Sequence, residues 1–349
     1  MDTRIPVTIV SGFLGSGKTT LLRQALSHPS MKGAVLLINE VAELGVDDRL
    51  LRGGSSPVVL MENGCLCCTA SEDLRRELRG ILELGGPEPH KQIIIEMSGL
   101  ADPLSAIATI TTDPYLVNHL RIDFVLTLVD CMHIDASEAA SADYHRQIEA
   151  ADVVLLSKAD LATEEQVRAA RDLVMHAYPV VPCFLSSETS LPELAEIGSS
   201  LRADRLARRW IEERAETNID THPVSLHVST SPEHHHELHP HTFCIRLSDE
   251  LDWTRLSIWL SLILHRHGER ILRIKGFVAL GSGSAPVLIN CIHHLAYFPE
   301  HLDKWPDGDR SSFLVFIVRE ISPEIILRSF LACVQPVAQS SSVAGHIAC

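Results

Sequence analysis

Three short runs carry side chains whose type and spacing could do chemistry. The first, GFLGSGKT at Gly12–Thr19, fits G-x-x-x-x-G-K-[ST], in which glycines let backbone N–H groups curl around phosphate oxygens. Gly12, Gly15, Ser16 and Gly17 would form that cradle at a helix N-terminus, with Thr20 just beyond it. Lys18 would reach the β- and γ-phosphates, and the Thr19 hydroxyl would ligate Mg²⁺. The second run, SKAD at Ser157–Asp160, resembles an [N/T]-K-x-D guanine motif with Ser in first place. Asp160 could accept hydrogen bonds from guanine N1–H and the 2-amino group, and Lys158 would lie along the ring. Adenine offers neither donor there, so a buried carboxylate would reject it. The third run, ENGCLCC, puts Cys65, Cys67 and Cys68 within four residues.

Thiolates suit Zn²⁺, Cu⁺ and related borderline-soft ions. Three sulfurs on a turn, completed by one carboxylate or imidazole, would fill a tetrahedron. Glu40 is the first choice for the fourth ligand, because its strand should end beside the phosphate loop; Glu43 is the second. Two other readings stay open. Cys65-x-x-Cys68 has redox spacing, though nothing around it resembles a thioredoxin unit, and three cysteines could pack as inert core residues.

Acids complete the set. Glu96 closes the apolar run QIII, where a carboxylate that holds Mg²⁺ through water is expected, and Gly99 follows where a γ-phosphate contact is expected. Asp47 or Glu43, in ELGVDD, could orient the attacking water or touch Mg²⁺, with a solvated loop acid as the alternative for each. No glutamine is marked as a water-positioning residue, so slow turnover is expected, as suits a switch.

The elements that must position these residues alternate. IPVTIVSG, AVLLINE, PVVLMENG, QIIIEMSG, DFVLTLVD and DVVLLSKAD read as buried strands separated by helical stretches. In SEDLRRELRGIL, Ser71 is the expected N-cap, and Leu74, Leu78, Ile81 and Leu82 recur on one face. Such alternation implies a doubly wound α/β sheet, mostly parallel, with ligands at the carboxyl ends of its strands.

The chain has 349 residues, 46% hydrophobic and 21% charged, enough for two domains with packed cores. A formal charge of −15 argues against nucleic acid or an anionic membrane as the main partner. No apolar run approaches the roughly 20 residues of a membrane span. Ile5–Val10 runs straight into the glycine loop, which does not read as a signal peptide. A cytoplasmic, reducing setting is therefore expected. There the nine cysteines read as thiols or ligands, with Cys131, Cys183, Cys244, Cys291, Cys333 and Cys349 as packing residues or a tail thiol.

Taken in order, GFLGSGKTT, INEVAELGVDD, ENGCLCC, IIIEMSGLADP and SKAD resemble the CobW-like metal-trafficking GTPases, relatives of the urease and hydrogenase nickel-insertion GTPases. RIKGFVAL and WPDGDRSSFLVFI resemble the C-terminal domain of the same family, so the likeness spans about residues 5–330. The sequence departs from the usual NEFGE at Val41 and Ala42, and Ser157 replaces Asn or Thr. The resemblance implies a GTPase that uses GTP and Mg²⁺, binds zinc or alternatively cobalt at the cysteines, and delivers it to a client metalloprotein. A second reading from another class is a nucleotide-gated accessory protein. It would dock on one metalloenzyme, of cobalamin-pathway or nitrile hydratase type, without transferring metal. An ATP-using kinase is disfavoured by SKAD.

Domain bounds follow from texture. Residues 1–200 read as the P-loop GTPase domain. Residues 201–241 read as a charged helix and His-rich linker, whose seven histidines between His222 and His241 could hold Zn²⁺, Ni²⁺ or Co²⁺ weakly or simply be solvated. Residues 242–334 read as a smaller α+β domain: TFCIRLS, ILRIKGFVAL, APVLINCIHHLAYF and SSFLVFIVRE as strands, and two helices. The first helix should end at Gly268, and Ser322 and Pro323 should start the second. His265, His267, His293 and His294 read as ordinary surface or core residues, and 335–349 as a disordered tail.

Overall fold

The computed structural model describes residues 3–38, 58–60, 69–84, 91–132, 141–178, 181–193, 224–228, 240–247, 251–280, 285–302, 305 and 312–334. The N-terminal sheet has β1 (Ile5–Gly12), β2 (Ala34–Ile38), β3 (Val58–Leu60), β4 (Gln92–Glu96), β5 (Leu120–Asp130), β6 (Val153–Ser157) and β7 (Cys183–Leu185). Their order is β3-β2-β4-β1-β5-β6-β7, and every pairing is parallel. Such strands are buried on both faces, which is why they read as unbroken apolar runs. On one face Val10, Leu36, Ile94 and Leu126 meet Leu21, Leu22 and Ala25 of α1 (Lys18–Leu26). On the other, Ile9, Leu37, Ile95 and Val125 meet α2 (Thr69–Leu84) and α3 (Pro103–Thr112) through Leu74, Leu78, Ile107 and Ile110.

The helix α2 starts at Thr69, so Ser71 lies inside its first turn rather than capping it. The apolar stripe fixes the helix face, but its first turn extends back to the residue after Cys68. The short α4 (Leu116–His119), then α5 (Ala142–Ala150) and α6 (Glu164–Ala177), complete this half. The last is held by a reciprocal Thr163–Gln166 capping box.

The C-terminal sheet is antiparallel. It has β8 (Val224–Val228), β9 (His241–Leu247), β10 (Ile271–Val278), β11 (Val287–Ile292), β12 (Leu295–Ala296), β13 (Glu300–His301) and β14 (Ser312–Val318). Their order is β12-β11-β10-β14-β9-β8, with β13 beside β11. One face is covered by α7 (Trp253–His267) and α8 (Pro323–Val334), where Trp259 sits edge-on to Phe316 and Phe330. Two expectations change here. Val224–Val228 lies within the stretch read as linker, yet pairs with β9 as an edge strand. The run APVLINCIHHLAYF is two strands, because His293 turns the chain with a positive φ of 49°.

That turn reaches the end of α7: the rings of His293 and His294 hydrogen-bond the carbonyls of Gly268 and Leu264, at 3.0 and 2.8 Å. Gly268 follows the helix in a right-handed conformation; His294 packs where its Cβ would lie.

The two halves share cores. Ile292 packs with the α2–α3 side of the parallel sheet, and Leu272 and Ile317 pack with Ile148 and Val174 of α5 and α6. Polar pairs run along the same seam. Arg273 donates to Ala151 O at 2.7 Å and pairs with Asp152, which Lys275 also reaches at 2.7 Å. Glu149 pairs with Arg319, and His293 Nε2 lies 3.3 Å from it.

Candidate functional site

Parallel strands deliver their ends to one edge of the sheet, and the register puts particular residues in one row. Leu60 pairs with Ile38, Ile38 with Glu96, and Glu96 with Val10. The chain leaves this row into the glycine loop, into the loop containing Gly99, into Glu40, and into the cysteine segment. With strands about 4.8 Å apart, Leu60 lies about 10 Å from Glu96.

At the centre of the row the phosphate loop is formed. Gly17 caps α1 with φ 93°, a conformation glycine adopts without penalty. Lys18 is buried, and its Nζ donates to Gly12 O at 2.7 Å and Phe13 O at 3.0 Å. Thr19 Oγ1 donates to Glu96 Oε1 at 2.8 Å. The two groups read as a magnesium pair are thus adjacent, and both offer the hard oxygen donors that Mg²⁺ takes. The residues present therefore fit that ion. Gly99 approaches this loop so closely that a Cβ on it would lie 2.7 Å from the backbone of Leu14.

The SKAD run begins at the end of β6. Ser157 is buried, and its hydroxyl donates to Ser16 O at 2.7 Å, joining the motif to the phosphate loop. The short serine side chain thus makes a tie across the two motifs. Lys158 adopts φ 56° and pairs with Asp130 at 2.6 Å, while Asp160 is exposed. A cavity of about 460 Å³ opens there, lined by Asp160, Val167, Arg168, Leu185 and Ser187 among others.

Sequence reading passed over Asp130 and Ser187. Asp130 carried the same signal as Glu96, an acid closing an apolar strand; Ser187 carried none, because its place depends on the pairing of β7 with β6.

Glu40, Glu43, Asp47, Cys65, Cys67 and Cys68 lie outside the described residues, as do Cys349 and most of the histidine tract. Among the described residues no group of three or more His, Cys, Asp or Glu side chains could hold a metal ion. Cys131, Cys244 and Cys291 are buried packing residues; burial pushes the thiols of Cys244 and Cys291 up to about 12, far from ready thiolates. Cys333 is exposed instead, on the outer face of α8. His241 is tied to Ile321 O at 3.1 Å, and burial lowers its pKa. No described helix is long and apolar enough to cross a membrane.

Residues 6–181 match the family described as CobW/HypB/UreG, nucleotide-binding domain, and 241–334 match the Cobalamin synthesis protein cobW C-terminal domain. Among similar proteins is a zinc chaperone CobW of Pseudomonas aeruginosa, 31% identical over 94% of this chain and 92% of its own length. Another is the zinc-regulated GTPase metalloprotein activator 1 of Schizosaccharomyces pombe, 29% identical over 93% of this chain and 82% of its own. The Zn(II)-bound YjiA GTPase of Escherichia coli shares the fold, with a TM-score of 0.60 over 95% of this chain and 99% of its own, at 24% identity.

Proposed function

Because the chain belongs to the CobW/HypB/UreG family, we propose that it is a GTPase that binds zinc at Cys65, Cys67 and Cys68 and passes it to a client metalloprotein. The observation that carries this reading is the row Leu60–Ile38–Glu96–Val10. It sets the ends of β1, β2, β3 and β4 in one row at one edge of one sheet, and from those ends the sequence runs on toward Gly12–Thr19, Glu40, the cysteines and Gly99.

In this reading backbone N–H groups of Gly15–Thr19 bind the phosphates and Lys18 turns from the loop carbonyls to the β- and γ-oxygens. Thr19 and Glu96 would hold Mg²⁺. Mg²⁺, when bound, supplies positive charge that offsets the charge developing on the phosphates. Asp160 selects guanine, with Lys158 along the ring. Asp47 or Glu43 orients the attacking water.

The metal is cargo. Thiolates of the three cysteines and the carboxylate of Glu40 would bind it, and Cys68 directly precedes α2, whose N-terminus favours negative charge. Both segments begin within about two strands of the γ-phosphate position, so occupancy there would change metal affinity. A ligand shifts a population only through such a difference between states.

Calorimetric titration with Zn²⁺ tests this, with GDP and with a non-hydrolysable GTP analogue, for the intact chain and for Cys67→Ser. Zinc affinity that differs at least fivefold between the nucleotides, and that falls in the variant, is the expected result. Equal affinity in both states would remove the coupling.

A further inference from the structure

The buried face of α5 carries Gln147, a polar side chain outside every motif above. It is 1% exposed. Its Nε2 donates to Gly99 O at 3.0 Å and to Ala101 O at 3.4 Å, while Thr127 Oγ1 donates to its own backbone carbonyl at 2.8 Å. Its Oε1 is buried with no hydrogen-bond partner among the described residues. A buried acceptor left unpaired costs stability, and an arrangement in which a backbone N–H of the loop reached it would recover that loss. The side chain thus holds the loop in the arrangement observed and offers an acceptor to a displaced one.

Two residues on, about 200° around the helix, Glu149 faces the other way. It pairs with Arg319 and with His293, 3.3 Å away, both in the C-terminal half. The last carbonyls of α5 are held from the same side: Arg273 donates to Ala151 O at 2.7 Å and to Ala150 O at 3.4 Å. A single helix thus has one face bonded to the Gly99 loop and its other face and carboxyl end bonded to the C-terminal sheet.

We propose that Gln147 is a positioning residue, through which α5 carries the nucleotide state of the Gly99 loop to the C-terminal domain. The proposal rests on the reading of that loop as the γ-phosphate sensor. Moving the Gly99 N–H toward a terminal phosphate drags or breaks the bond that its own carbonyl receives from Gln147. The helix then moves as a body against the ion pairs at its far side. Coupling of this kind is carried by an element that both sites bias.

Amide hydrogen exchange on the full-length chain, with GDP and with a non-hydrolysable GTP analogue, tests it. In the unmodified protein, exchange at residues 270–273 and 317–320 should differ between the two nucleotides. In Gln147→Ala that difference should vanish, and the preference for the GTP analogue over GDP should change by about tenfold. A merely structural role would lower the melting temperature and leave the difference in place, which would overturn the proposal. Arg319→Met, remote from the nucleotide, is the second variant: it should lose the difference and keep its GDP affinity. Equal exchange in both states, with both nucleotides bound, would overturn the relay alone. No guanine nucleotide binding at all would overturn the reading of the site as well.

Discussion

At the scale of the residue, two substitutions separate the parts of the site. Asp160→Asn replaces an acceptor-only carboxylate by an amide that must present a donor to one guanine N–H. Hydrogen bonds to charged groups contribute about 1.5–3 kcal/mol each, so GTP affinity should fall by about a hundredfold. Affinity for xanthosine triphosphate, which carries an oxygen in place of the 2-amino group, should rise; competition binding with the two nucleotides measures both. Gly99→Ala would push a methyl against the Leu14 backbone. The overpacking costs about 1–3 kcal/mol and falls on the phosphate loop, so it should appear as weaker nucleotide binding together with a melting temperature lowered by several degrees. Part of this geometry was legible in the chain. Thr19 and Glu96 stand out by pattern, and the structure sets them 2.8 Å apart, while Lys18 turns to Gly12 O and Phe13 O. Gln147 and the tie from Ser157 to Ser16 were not legible. Each joins residues far apart in sequence through a single hydrogen bond, and no local spacing encodes such a bond.

At the scale of the element, the seam beside α5 predicts a pH dependence. Burial alone would raise the pKa of Asp152, but Arg273 and Lys275 outweigh it and hold the carboxyl at about 2. Its folded-state pKa is therefore below the unfolded value of about 3.9. The stabilisation is complete above about pH 4 and is lost as pH falls through about 2, amounting to roughly 2 kcal/mol. Burial likewise opposes the ionisation of Glu149, and His293 and Arg319 outweigh it, so its pKa also falls and the sign is the same. Asp152→Asn should flatten the acid limb of stability against pH, as measured by denaturant unfolding between pH 2 and 6. Arg273→Met should cost up to about 3 kcal/mol at neutral pH, because it leaves a buried carboxylate with one partner fewer. The strands and helices of the parallel half were readable because each is an apolar run of the right length. The hairpin at His293 was not, since its turn lacks glycine, proline or asparagine and is stabilised by the end of α7.

At the scale of the whole molecule, Ile292, Leu272 and Ile317 complete cores whose other members belong to the N-terminal half. Shared cores couple unfolding, so calorimetry of the full-length chain should give one cooperative transition. Two transitions more than about ten degrees apart would show the halves to be independent. The order of the two domains was legible from the change in texture along the chain. The seam was not, because in the chain nothing distinguishes Arg273, Lys275 and Arg319 from other residues in or beside apolar strands. Grafting makes the consequence concrete. A chimera that kept this N-terminal half and took its C-terminal half from a relative would leave Glu149 and Asp152 without their partners across the seam unless the donor supplied matching donors at the positions of Arg273, Lys275, His293 and Arg319. A hybrid whose six side chains at this junction do not match should misassemble there even with every nucleotide-site residue intact.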